Sequence, residues 1–232
     1  MANRKVPLIS GEYFHVYNRG NSKQEIFLDD KDRERFVKLL YLSNSKKNVN
    51  FRDDITDCKI DAWDFEREET LVSIGAWVLM PNHFHIYITS PKSDLGEEDH
   101  NISEYMRKLL TAYTKYFNTK YNRTGCLYEG CFKSKHIEND KQAKYLFSYI
   151  HLNPIKLFDS GWKGGRITET DAVLNYLNNY RWSSYQDHCG ASRKENKILE
   201  IENFPQYFSN IEDFNNEILS WINFKNFPLS QT

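Results

Sequence analysis

The stretch LVSIGAWVLMPNHFHIYIT, residues 71–89, constrains the fold more than any other part of the chain. Almost every position is apolar or aromatic, and the run is broken only by Pro81-Asn82. Proline has no N–H for a ladder and asparagine tolerates turn geometry, so the run reads as two strands, 71–80 and 83–89, folded back on each other. Strands this apolar belong at the centre of a sheet covered on at least one face. Two residues do not suit that role. Side chains alternate along a strand, so His83 and His85 point the same way as Tyr87, while Phe84, Ile86 and Ile88 point the other way.

The flanking segments supply the rest of a sheet-and-helix layer. EYFHVYNRG (12–20) alternates and reads as a strand ending at Gly20. DDKDRERFVKLLYLSN (29–44) reads as a helix capped by Asp29 or Asp30, with Phe36, Leu39 and Leu40 on its core face. Residues 44–70 are polar and acidic, an insertion with room for a strand at CKIDAWDF. A long amphipathic helix is expected over 101–123, opened by Asn101 and Glu104 in capping-box spacing and carrying Ile102, Met106, Leu109, Tyr113 and Phe117. GCLYEGCFKSKHI (125–137) is β-like and basic. DKQAKYLFSYIHLN (140–153) is a second helix, capped by Asn139 or Asp140 and stopped by Pro154.

This order predicts an α+β, ferredoxin-like (RRM-like) antiparallel sheet with helices on one face. The core domain is expected over 1–157, with the acidic insertion at about 44–70. Residues 158–232 form a C-terminal helical extension packing on the core, in which NNYRWSSYQ docks and 210–224 is a last amphipathic helix.

Composition narrows the classes. Of 232 residues, 40% are hydrophobic, with fifteen Tyr, fifteen Phe and five Trp, enough to fill an interior and to exclude a disordered chain. No apolar run approaches the roughly 20 residues of a membrane-spanning helix, and MANRKVPLISGEYF lacks a signal-peptide core, so a cytoplasmic protein without a membrane partner is expected. The four cysteines, Cys58, Cys126, Cys131 and Cys189, lack zinc-ribbon spacing. A net charge of −1 conceals an asymmetry: residues 105–156 hold ten lysines and arginines against three acids, whereas residues 52–69 hold eight acids against three bases. The basic half is the candidate for phosphate contact.

Chemistry concentrates in two places. Neutral imidazoles at His83 and His85 are competent ligands for a divalent metal; they are equally consistent with polar residues on a solvated sheet face. In YIHLNP, Ala143, Leu146, Phe147 and Ile150 form the apolar stripe of the helix. Tyr149 lies roughly 110° from its centre and shares a face with Asn153, four residues on. A phenol and an amide oxygen can thus serve one site, or can be an interfacial tyrosine and a helix-terminal asparagine. Tyr145, one turn earlier, is a rival nucleophile, and His151 is a nearby base candidate that does not share Tyr149's face.

AWVLMPNHFHIYI, GCLYEGCFKSKHI, YLFSYIHLNPIK and YRWSSY, in that order and preceded by YFHVYNRG, resemble the REP-associated tyrosine transposases, a branch of the single-tyrosine HUH (IS200-like) transposases. The resemblance runs from about residue 12 to about residue 188. It implies an HUH nuclease fold that cleaves single-stranded DNA and transfers strands through a 5′-phosphotyrosine, at hairpin or repeat-associated DNA. His83 and His85 match its metal-binding histidines, Phe84 its central hydrophobic residue, Tyr149 its nucleophile and Asn153 the position of a third ligand. The implied cofactor is a divalent ion, Mg²⁺ or Mn²⁺. The DNA-contact candidates are Arg19, Arg123, Tyr128, Lys133, Lys135, Lys141 and Lys144, with Phe132 and Trp182 assigned to packing. Glu129 and Cys131 stand where the family more often has Gln and Arg, which bears on the strength of DNA binding. A monomer and a homodimer are both compatible with the sequence. The alternative is a catalytically silent regulator that binds hairpin DNA with the same fold; relaxases and replication initiators share the site but fit the single tyrosine helix less well.

Overall fold

In the computed structural model, residues 7–92, 100–158 and 170–223 are described. The core is a four-stranded antiparallel sheet built from β1 (Tyr13–Arg19), β2 (Ser73–Met80), β3 (His83–Thr89) and β4 (Lys133–Ile137), in the spatial order β2-β3-β1-β4. With α1 (Asp30–Leu42) after β1 and α2 (Asn101–Lys120) after β3, the arrangement is the βαββαβ ferredoxin-like one. Asp29 caps α1 in a reciprocal capping box with Asp32, and Asn139 caps α3 (Asp140–Leu152) by accepting from the Gln142 amide. The expected capping box at α2 does not form: His100 is its N-cap and makes no side-chain cap bond.

α1 and α2 cover one face of the sheet, burying Phe14 and Val16 of β1 and Phe84, Ile86 and Ile88 of β3. The two helices are joined around Asp32, a fully buried carboxylate that accepts from Lys120 at 2.6 Å, Tyr121 at 2.7 Å and Tyr116 at 3.1 Å. α3 covers the opposite face with α5 (Thr170–Asn179) and α7 (Ile211–Asn223), over Ala76, Val78, Met80 and Tyr87. Between these lie the one-turn helices α4 (Ile155–Phe158) and α6 (Tyr185–His188). Both faces of the central hairpin are therefore covered, which is why its sequence is nearly unbroken in apolarity.

The extension also closes the free edge of β2. Leu79 N–H donates to Trp182 C=O and Ser184 N–H to Trp77 C=O, both at 2.9 Å, so YRWSSY lies along the edge as a short partner that occupies its exposed ladder groups. Gly75 permits the close approach of Phe204, whose ring would stand 3.0 Å from a Cβ at that position.

The acidic insertion departs from expectation. CKIDAWDF contains no strand: a π-helical turn spans Phe51–Asp57 and a 3-10 turn Ala62–Asp64. Asp61 explains the second, because its side chain accepts from the Trp63 amide and offers the backbone a local alternative to a ladder. The insertion packs on α1, with Trp63 against Tyr41 at 5.4 Å, and is tied to the extension by Lys194–Asp61 at 2.6 Å. It lies in the α1–α2 layer and is not a lid over the histidines.

Candidate active site on the α3 face

The register places the site. In β3, His83, His85 and Tyr87 face α3, as their alternation predicts. β1 pairs with β3 so that Arg19 lies opposite His83, Tyr17 opposite His85 and His15 opposite Tyr87. β4 adds Lys133 beside Tyr17 and Lys135 beside His15. Arg19, Tyr17, His83, His85, Lys23 and Lys133 line a cleft of about 200 Å³ at this end of the sheet.

α3 crosses above and brings Tyr149 down on the histidines of its own chain. Its ring lies 5.2 Å from the His85 ring, edge-on at 75°, and 6.0 Å from His15. His83 and His85 are themselves 5.1 Å apart. Asn153 is fully buried at the end of α3; its Nδ2 donates to Tyr149 C=O and its Oδ1 accepts from the Lys156 ammonium at 2.9 Å. Lys156 Nζ stands 5.4 Å from the Tyr149 ring centre.

The imidazoles are held neutral. Burial pushes His83 down to about 4, helped by Lys156 and Arg19, and pushes His15 down to about 3, helped by Lys135. His85 is held well below the ordinary histidine value by burial and then by the positive potential of His15, His83 and Lys156. Tautomers follow from partners. Asn82 Nδ2 donates to Lys23 C=O, so its oxygen faces His83 and accepts from Nδ1–H at 2.6 Å. His83 Nε2 is then a bare lone pair, buried without a hydrogen-bond partner, and His85 Nε2 is likewise buried without one. His85 Nδ1 meets His15 Nε2 at 2.9 Å. When His85 donates in that bond, its Nε2 also carries a lone pair.

Two buried imidazole nitrogens without hydrogen-bond partners fit a divalent cation when His85 donates to His15. Among the described residues no group of three His, Cys, Asp or Glu side chains is gathered here; the third ligand that the sequence resemblance implies is the amide oxygen of Asn153.

The remaining sequence candidates separate into two groups. Lys133, Lys135, Lys141 and Lys144 are exposed, the first two on the histidine face of β4 and the others on α3. Arg19 reaches the cleft but forms an ion pair with Glu129. Two candidates are corrected. Arg123 stacks on Phe117 at the end of α2, in the layer on the other side of the sheet. Tyr128 is packed in the α1–α2 core at 7% exposure, edge-on to Phe84, and offers no ring to a base. Phe132 and Trp182 pack against the same core. Tyr145 leans on Trp221 of α7, and burial raises its phenol to about 12. His151 turns away to Ser184 Oγ at 2.8 Å, among Phe147, Tyr185 and Phe214.

Four contributors escape the sequence reading: His15, Asn82, Glu129 as the partner of Arg19, and Lys156 as the partner of Asn153. His15 has a faint signal, because alternation in YFHVYNRG sets it on one side with Tyr13 and Tyr17. Which strand that side meets is fixed by register alone.

No family model and no curated protein matches the chain. Among solved structures, a REP-associated tyrosine transposase bound to a REP hairpin is similar, with a TM-score of 0.47 and 16% identity over 84% of this chain and 90% of that one.

Proposed function

We propose that the protein cleaves single-stranded DNA and transfers the cut strand, with Tyr149 as nucleophile and His83, His85 and Asn153 as the ligands of Mg²⁺ or Mn²⁺. One observation carries this reading: the Nε2 atoms of His83 and His85 are buried without hydrogen-bond partners, and the Tyr149 ring stands edge-on to His85 at 5.2 Å, with no hydrophobic reason for imidazoles there. The sequence resemblance to the REP-associated tyrosine transposases names the substrate, hairpin or repeat-associated DNA.

The residues divide the work. Tyr149 oxygen attacks a backbone phosphorus, forming a phosphotyrosine bond to the 5′ side while the bond to the 3′ oxygen breaks and that oxygen leaves as a hydroxyl. A divalent ion, when bound, stabilises phenolate and neutralises charge on the phosphoryl oxygens. Asn82 holds His83 and His15 holds His85, each fixing the ring by its other nitrogen. Lys133 and Lys135 on one side and Lys141 and Lys144 on the other supply phosphate contacts toward the cleft. Tyr149 sits beside histidines of its own chain, which supports action as a monomer.

The test is incubation of the protein with Mn²⁺ and a single-stranded hairpin oligonucleotide, followed by denaturing gel analysis. The expected result is a covalent protein–DNA adduct that Tyr149→Phe abolishes. Hairpin binding that is indifferent to EDTA, with no strand breakage under any divalent metal, would establish the catalytically silent regulator instead.

A further inference from the structure

The most consequential side chain outside that assignment is Lys156. It is the second residue of α4, three residues beyond Asn153, and is half-buried. Its ammonium donates to Asn153 Oδ1 at 2.9 Å and stands 5.4 Å from the Tyr149 ring. Its charge is also felt at His83 and His85, where it lowers both imidazoles. One ammonium therefore touches the assigned third ligand and stands over the assigned nucleophile.

That placement creates a conflict. Asn153 Oδ1 is the oxygen assigned above to complete the ligand set, and it already accepts from a cation. An amide oxygen has two lone pairs, but two cations drawn to one oxygen repel strongly in a half-buried site. Lys156 has the means to give way, because its four-carbon stem has many rotamers and carries the charge as a compact point.

We propose that Lys156 is a resident cation of the site: it occupies Asn153 Oδ1 in the unloaded protein and, displaced from that oxygen on loading, serves as the catalytic ammonium facing the Tyr149 phenol and the phosphate it attacks. The inference rests on the function proposed above. It assigns Lys156 two effects of opposite sign, weaker cation binding and faster cleavage.

The sign makes the test sharp. Mn²⁺ affinity of the full-length protein is measured by electron paramagnetic resonance for wild type, Lys156→Met, Lys156→Arg and His85→Ala, with adduct formation followed in parallel. Lys156→Met is expected to bind Mn²⁺ roughly tenfold more tightly, because a competing charge is gone, and to form adduct at least tenfold more slowly at saturating Mn²⁺. Lys156→Arg, which keeps the charge, is expected to stay near wild type in affinity and to retain most of the rate. Unchanged or weakened Mn²⁺ affinity in Lys156→Met, with His85-dependent binding intact in wild type, overturns the Lys156 assignment alone. A wild-type rate in Lys156→Met overturns its catalytic half. If wild type shows no His85-dependent Mn²⁺ binding, the proposed function fails and the Lys156 assignment with it.

Discussion

The two faces of β3 are both covered and chemically opposite. Toward α1 and α2 stand Phe84, Ile86 and Ile88; toward α3 stand His83, His85 and Tyr87. On the first face burial is stabilising by itself, because each side chain leaves water and meets apolar neighbours. On the second, each imidazole has lost water and recovered only part of its hydrogen bonding: one nitrogen is matched, by Asn82 or His15, and the other is not. Partly satisfied polar groups cost stability. The contrast therefore separates residues that hold the fold from residues that the fold holds, and it breaks cleanly under substitution.

The largest effect is expected from Tyr149→Phe. It deletes one oxygen, so adduct formation should fall below detection on a denaturing gel, while the melting temperature moves little because the ring still fills its place against His85. Phe84→Ala is the converse. Phe84 is fully buried against Phe36 and Tyr128, and its loss should cost about 3–5 kcal/mol in urea unfolding. Mn²⁺ affinity of the folded fraction should be unaltered. Loss of Mn²⁺ binding in folded Phe84→Ala would erase the distinction between the faces.

Acid should act on the histidine face and leave the Phe84 face untouched. His15 and His83 hold folded values of about 3 and about 4, below the unfolded value near 6.5. Between those limits the unfolded chain binds protons that the folded chain does not. Stability is therefore fully present above about pH 6.5, falls as pH drops through the window, and levels off below the folded values. For His15, buried and 8% exposed, the loss between pH 6.5 and pH 4.5 should be about 2 kcal/mol. His15→Gln, which cannot titrate, should make the pH profile of urea-denaturation stability shallower over that range. An unchanged slope would mean that His15 is protonated in the native protein.

The same contrast explains what was legible in the sequence. The apolar face could be read from local pattern, because Phe84, Ile86 and Ile88 alternate in a run with no competing interpretation. His83, His85, Tyr149 and Asn153 were legible as chemical types at strand and helix spacing. What pattern does not carry is pairing between distant segments. His15 reaches His85 only because β1 and β3 pair with Tyr17 opposite His85, and a one-residue slip would turn His15 to the other face. Tyr128 looked available to DNA because its segment is β-like and basic, yet a bridge to Gly20 carries it into the core. CKIDAWDF alternates like a strand, and Asp61 diverts it into a turn through a hydrogen bond to the Trp63 amide.

The smallest expected effect lies at the rim of the histidine face, where charge is exposed and screened. Arg19 lines the cleft beside His83, but its guanidinium is engaged by Glu129, which also holds the carboxylate below its ordinary value. Both side chains are partly exposed, so the pair adds little stability, and its consequence is that one candidate phosphate-binding cation starts out neutralised. Glu129→Gln should leave the melting temperature unchanged and release Arg19 toward DNA. Hairpin affinity by fluorescence anisotropy should rise roughly twofold to threefold at low salt, and the slope of log K against log salt should steepen by about one phosphate contact. The gain should vanish in Glu129→Gln/Arg19→Gln. If it persists there, Glu129 repels DNA directly and Arg19 is not part of the path, so the cleft would be entered from the Lys133 and Lys135 side.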